Sequence, residues 1–184
     1  MLIVPVASGK GGVGKSLVSA NLAIALAQGG HRVVLADLDL GGSNLHLVLG
    51  FRGTGASIGS FLGRKKIDFS NVIQETDIPN LRFIPGDAEI PGLANLNASQ
   101  KNMLIRRLSD LDADYLVLDL GAGTSQNILD FFLMSGQGII VTTPTPTATV
   151  NAYLFLKNAV FRLLQRSVNK KSPGGKYIDG LFRD

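Results

Sequence analysis

Gly9-Lys10-Gly11-Gly12-Val13-Gly14-Lys15-Ser16 decides the fold. It follows an aliphatic run, Leu2–Ala7, and opens an alanine- and leucine-rich stretch, Ser16–Gln28, that stops at Gly29-Gly30. The spacing is G-x-x-x-x-G-K-[ST], and the strand–turn–helix setting is the one in which that spacing cradles phosphate instead of merely turning the chain. The glycines let consecutive backbone N–H groups turn inward around phosphate oxygens, and the start of the helix adds partial positive charge. Lys15 supplies a point charge to the β- and γ-phosphates, and the Ser16 hydroxyl can complete a Mg2+ shell. The expected nucleotide cradle is therefore Gly9, Lys10, Gly11, Gly12, Val13, Gly14, Lys15, Ser16 and Leu17.

Outward from this loop, further short aliphatic runs read as strands: Arg32–Asp37, Leu81–Pro85, Tyr115–Leu120 and Gly138–Thr142. They do not alternate with polar residues, as strands of a parallel sheet covered on both faces should not. Helical patterns lie between most of them, at Ala98–Leu111, Ser125–Ser135 and Thr147–Arg166. Strands alternating with helices predict an α/β fold with a doubly wound, mainly parallel sheet. The middle, Phe51–Asn97, is glycine-rich and weakly patterned. Beyond Arg166 the chain turns polar and rich in breakers before a short apolar stretch, and no further strand follows the long helix. Residues 1–166 are thus expected to form the nucleotide-binding domain, and 167–184 a polar basic tail or the start of an insertion.

Two sets of aspartates complete a hydrolytic constellation. Asp119 ends the run Tyr115–Leu118, where a carboxylate can hold Mg2+ through water. Asp37 and Asp39 follow Arg32–Ala36 at the carboxyl edge, where ligands bind in open α/β sheets. Two apart on an extended segment, they are expected to point together toward the phosphates, one touching the metal shell and the other orienting the attacking water. The expected metal-side residues are Ser16, Asp37, Asp39 and Asp119. Asp112 and Asp114 lie at the amino end of a strand and read as solvated turn residues.

Composition narrows the rest. The 184 residues amount to about one domain, and 45% of them are hydrophobic, enough for a sizeable core. There is no cysteine, which excludes disulfides, thiol nucleophiles, iron–sulfur clusters and thiolate zinc sites in this chain. The N-terminus lacks the basic region of a signal peptide. The uncharged stretch Phe131–Leu156 carries Gly136, Gly138, Pro144, Pro146 and five threonines, which a lipid-facing helix would not hold together. A soluble, cytoplasmic protein is expected. The net charge of +4 comes from one segment: Lys157, Arg162, Arg166, Lys170, Lys171 and Lys176 have no acidic residue among them. This reads as a solvated face and tail, without strong support for a nucleic-acid or membrane contact.

The loop from Lys10 to Ser16 resembles the deviant Walker A motif of the MinD/ParA family of ATPases, which the early lysine, Lys10, distinguishes from ordinary phosphate loops. Asp37-Leu38-Asp39-Leu40-Gly41-Gly42-Ser43-Asn44-Leu45-His46-Leu47-Val48-Leu49-Gly50 resembles switch I of the MinD and FlhG branch. Asp119-Leu120-Gly121-Ala122-Gly123-Thr124-Ser125 is similar to switch II, and Thr142-Thr143-Pro144 to the next phosphate-side loop. The resemblance implies a P-loop NTPase fold, ATP and Mg2+ as ligands, and a homodimer that sandwiches two nucleotides. Lys10 would then act across the dimer, Lys15 within its own subunit, and Asp39 on the water. Three departures stand out. Thr145 occupies a position that is often glutamate, His46 one that is commonly acidic, and the family's later strands, which bring the adenine-binding residues, are not visible. The chain is accordingly expected to be an N-terminal portion of the fold.

The function expected is an ATP-hydrolysing switch whose ATP-bound dimer controls positioning or assembly, at a septum site or in flagella, with a regulatory protein as partner. The alternative is a nucleotide-dependent scaffold with little or no hydrolysis; the presence of both Asp39 and Asp119 favours hydrolysis. A metabolic ligase of the dethiobiotin-synthetase kind would not need Lys10.

Overall fold

The computed structural model describes residues 1–40, 42, 44–50, 55–63, 67–86, 96–169 and 172–180. Gly41 and Ser43 of the expected switch I, Lys170, Lys171 and the Lys176 side chain of the basic segment, and residues 181–184 lie outside the described residues. In chain order the elements are β1 (Leu2–Ser8), α1 (Lys15–Gln28), β2 (Val33–Leu38), α2 (Leu45–Val48), α3 (Ile58–Leu62), a 3-10 turn (Phe69–Val72), β3 (Gln74–Glu75), β4 (Leu81–Ile84), α4 (Ala98–Ser109), β5 (Tyr115–Ala122), α5 (Gln126–Phe132), β6 (Ile139–Ile140), α6 (Pro146–Ser167) and α7 (Pro173–Gly180).

The strands form one sheet in the order β3-β4-β2-β5-β1-β6. All pairings are parallel except β3 with β4. The α/β class and the mainly parallel sheet are as the sequence predicts. Alternation along the central strands divides the core into two layers. Val33 and Leu35 of β2 and Val117 of β5 pack with Ala20, Ala23 and Ala27 of α1. Val34, Ala36, Leu116, Leu118 and Leu120 pack against α3, α4, α5 and α6 through Ile58, Leu104, Leu108, Leu129 and Phe155. Helices therefore cover both faces. The alanines of α1 bring that helix close to the strands, which matters for what it carries at its start.

Helix ends follow local chemistry. Asn97 and Gln100 form a capping box at α4, Ser125 accepts the Ile128 N–H at α5, and Gly30 after α1 has φ 86°. The sequence missed α2, α3 and β3, four, five and two residues long, too short to show a period. It also missed α7. There the Ser172 hydroxyl accepts the Gly175 N–H and Pro173 opens the helix, so a start signal sat inside a segment read as breaker-rich. β6 is shorter than expected, and Asp112 and Asp114 are more than solvated turns. The Arg32 guanidinium reaches both, at 2.8 and 3.0 Å, tying the amino ends of β2 and β5 together.

Candidate nucleotide site

The parity that sorts the core also places the acids. In parallel register Asp37 lies opposite Asp119, and both fall on the odd-numbered face with Val33, Leu35 and Val117, the α1 side. The loop Gly9–Gly14 joins the carboxyl end of β1 to α1, whose first residue is Lys15. Gly12 and Gly14 have φ of 77° and 89°, the left-handed region that side chains disfavour. Gly9 serves differently. A methyl group there would sit 2.1 Å from the Asn151 carbonyl oxygen, so the loop begins in direct contact with the backbone of α6.

Lys15 is buried, and its Nζ lies 2.8 Å from Asp119 Oδ1. The Ser19 hydroxyl donates to the same oxygen at 2.8 Å, with the Lys15 carbonyl 3.0 Å away as a second acceptor. Ser19 is the residue that sequence reasoning missed; its position one turn after Lys15 on α1 is the signal that could have found it. Lys15 Nζ is also 3.5 Å from Ser16 Oγ. Asp37 is fully buried and accepts the Asp39 N–H at 3.0 Å and the Leu45 N–H at 3.2 Å, so it shapes the path of the chain into α2. Asp39 is half-buried and stands against Gly121, where an added methyl would be 3.3 Å from Asp39 Oδ1.

Lys10 is placed apart from these residues. It is exposed, and its Nζ donates to Thr147 Oγ1 at 3.3 Å. Among the described residues it makes no ion pair. Val13, Ser16 and Leu17 continue the loop into α1, with Leu17 exposed.

The residues suit a magnesium–nucleotide complex. Two buried carboxylates, Asp37 and Asp119, stand side by side next to a lysine and the Ser16 hydroxyl at the mouth of the loop. Among the described residues no three acidic, histidine or cysteine side chains gather closely enough to hold a metal alone. Mg2+ in such sites takes one or two carboxylates, phosphate oxygens and several waters, and the donor set here is of that kind.

Behind the site a second charge cluster braces three helices. Asp130 of α5 is buried, accepts two bonds from Arg162 of α6 at 2.8 and 2.9 Å, and pairs with Lys101 of α4. Burial by itself pushes the Asp130 carboxyl up, but the bonds from Arg162 and Lys101 outweigh it and hold the group below the usual carboxylate range. The Arg162 guanidinium is raised in return by the Asp130 bond.

Comparison with known proteins accords with this geometry. The family described as "ParA: NUBPL iron-transfer P-loop NTPase" matches residues 1–159. The flagellum site-determining protein YlxH of Helicobacter pylori is 35% identical over 156 residues, which cover 84% of this chain and 52% of that protein. The septum site-determining protein MinD of Synechocystis is 37% identical over 152 residues, covering 82% of this chain and 56% of the other. The solved structure of MinD with Mg-ADP from Pyrococcus horikoshii superimposes with a TM-score of 0.74 at 28% identity, over 86% of this chain and 65% of that one. The chain spans about half the length of the curated relatives it matches.

Proposed function

Because the chain belongs to the MinD/ParA family of P-loop NTPases, we propose that it binds ATP with Mg2+ and hydrolyses it as an ATP-dependent homodimer that controls the positioning or assembly of a cellular structure. The relatives named for flagellar and septum sites support that setting; a regulatory protein is the proposed partner and the cytoplasm the proposed location. No described helix is long and apolar enough to cross a membrane.

The observation that carries this reading is the contrast between the two loop lysines. Lys15 is buried beside Asp119, where its charge serves the phosphates of its own subunit. Lys10 is exposed and, among the described residues, has no carboxylate partner, which leaves its charge free for phosphates arriving from outside the chain. Residues Gly9–Leu17 surround the phosphates, and Asp39 orients the attacking water. Ser16, Asp37 and Asp119 would hold Mg2+, which would supply neutralisation of the charge on the transferring phosphate.

The test is Lys10→Ala in the intact protein, followed by nucleotide titration, size-exclusion chromatography with ATP and phosphate release. Nucleotide binding by the monomer should persist, while the ATP-dependent dimer and hydrolysis should be lost. A charge supplied in trans to a transferring phosphate is worth about 10³–10⁵ in rate, so the fall should be plain. Wild-type hydrolysis in this variant overturns the trans-lysine reading. A wild-type protein that binds ATP and dimerises without releasing phosphate favours the scaffold alternative.

A further inference from the structure

We propose that Thr147 is a positioning residue that parks Lys10 in the free chain and so gates its transfer to a partner's phosphates; this rests on the dimer reading above. The start of the loop is held at two levels by the first two turns of α6. At backbone level Gly9 presses on Asn151, where not even a methyl group fits. At side-chain level Lys10 Nζ meets Thr147 Oγ1 at 3.3 Å, one turn earlier on the same helix. Together these contacts fix both the root and the tip of the Lys10 side chain against one helix.

The chemistry of the parking place explains why it can release. The first turn of α6 holds no acidic residue, and its N-cap, Thr145, makes no side-chain cap. A cation there faces the positive end of a 22-residue helix, which is electrostatically unfavourable. The hydroxyl accepts one hydrogen bond from the ammonium and, being neutral itself, leaves that charge uncancelled. An arriving triphosphate therefore competes with a weak bond, whereas a carboxylate at the same position would form an ion pair and retain the lysine. Thr147 thus sets how readily Lys10 leaves.

Thr147→Val and Thr147→Asp push in opposite directions. Each full-length variant is treated with a limiting amine-acetylating reagent, and fragment ions separate Lys10 from Lys15, with exposed Lys157 as the internal standard. Lys10 should acetylate about two- to fivefold faster in Thr147→Val than in the wild type, the change expected for losing one exposed hydrogen bond. It should acetylate more slowly in Thr147→Asp. Size-exclusion chromatography across an ATP titration should show the dimer forming at lower ATP in Thr147→Val and at higher ATP in Thr147→Asp. Equal labelling in the three proteins overturns the proposal, as does labelling that shifts while all three dimerise at the same ATP concentration. If labelling shifts but no protein dimerises with ATP, the parking contact stands and the dimer reading fails.

Discussion

Lys15 Nζ lies 2.8 Å from Asp119 Oδ1 with only 7% of one side chain and 1% of the other exposed. Lys15 and Asp119 thus satisfy each other in the free chain, and Ser19 donates to the same carboxylate oxygen. On the proposed reading, phosphates that enter the loop would draw Lys15 toward themselves, and its positive charge would then serve two anions.

Removing that charge should be felt twice. Lys15→Ala leaves the Asp119 carboxylate buried with, among the described residues, the Ser19 hydroxyl as its side-chain partner, a loss of about 3 kcal/mol, which for a chain of this size lowers the melting midpoint by about 10 °C. The same change should weaken ATP binding by about 100-fold, because a charge-assisted contact to the β- and γ-phosphates disappears from the ground state. Calorimetric titration beside a thermal melt reads both effects. Wild-type affinity would show that Lys15 does not reach the phosphates.

The two ends of the loop should respond differently to an added methyl. At Gly9 the group would meet Asn151 carbonyl oxygen at 2.1 Å and Ala152 nitrogen at 2.8 Å, and neither backbone atom can move without shifting α6. Gly9→Ala should therefore cost about 1–3 kcal/mol in stability. Gly11 has nothing within 4 Å of the same position, so Gly11→Ala should leave the midpoint almost unchanged. Equal melting temperatures for the two variants would remove α6 as the wall of the loop.

How far the sequence reached follows from how local each signal is. The strand Leu2–Ser8, the loop and α1 were legible because motif, aliphatic run and glycine stop agree within 30 consecutive residues. Asp37 and Asp119 were legible as strand-end acids, and parity along β2 and β5 then sets them on one face. The sequence did not disclose that Asp37 spends its carboxylate on the Asp39 and Leu45 N–H groups, since that depends on how the chain turns into α2. Nor did it disclose the Asp130 cluster. Ile128-Leu129-Asp130-Phe131-Phe132 reads as an apolar helix with one stray acid, and its partners stand 29 and 32 residues away on other helices.

That cluster sets an acid limit. Because the Asp130 carboxyl is held below its usual range in the folded chain, its contribution is fully present above the ordinary carboxylate pKa, about 4. It should disappear as pH falls from there through the depressed folded value. Asp130→Asn should remove it at all pH values and leave Lys101 and Arg162 partly buried without an anion, a loss of about 2–3 kcal/mol after allowing for their partial exposure. Urea unfolding at pH 7 and again near pH 3 checks this: the gap between wild type and variant should be wide at pH 7 and should narrow at pH 3. A gap that does not change with pH would mean the destabilisation is steric.

The last prediction separates water positioning from binding. Asp39 stands next to Gly121 and lies outside the Lys15–Asp119 pair, so losing its carboxylate leaves the phosphate contacts in place. Asp39→Ala should bind ATP and dimerise like the wild type while hydrolysis falls by 10²-fold or about that, and the ATP-bound dimer should accumulate in size-exclusion chromatography. Gly121→Ala offers a gentler version of the same disturbance. Its methyl would lie 3.3 Å from Asp39 Oδ1 and 3.4 Å from Ile128 Cδ1, tight enough to displace the carboxylate by a few tenths of an ångström. Small misplacements of a positioning group lower rates well before they lower affinity, so Gly121→Ala should slow phosphate release by about tenfold with ATP affinity unchanged. If Asp39→Ala instead lost ATP affinity and kept its turnover at saturating ATP, Asp39 would belong to the binding shell, and the attacking water would need another partner.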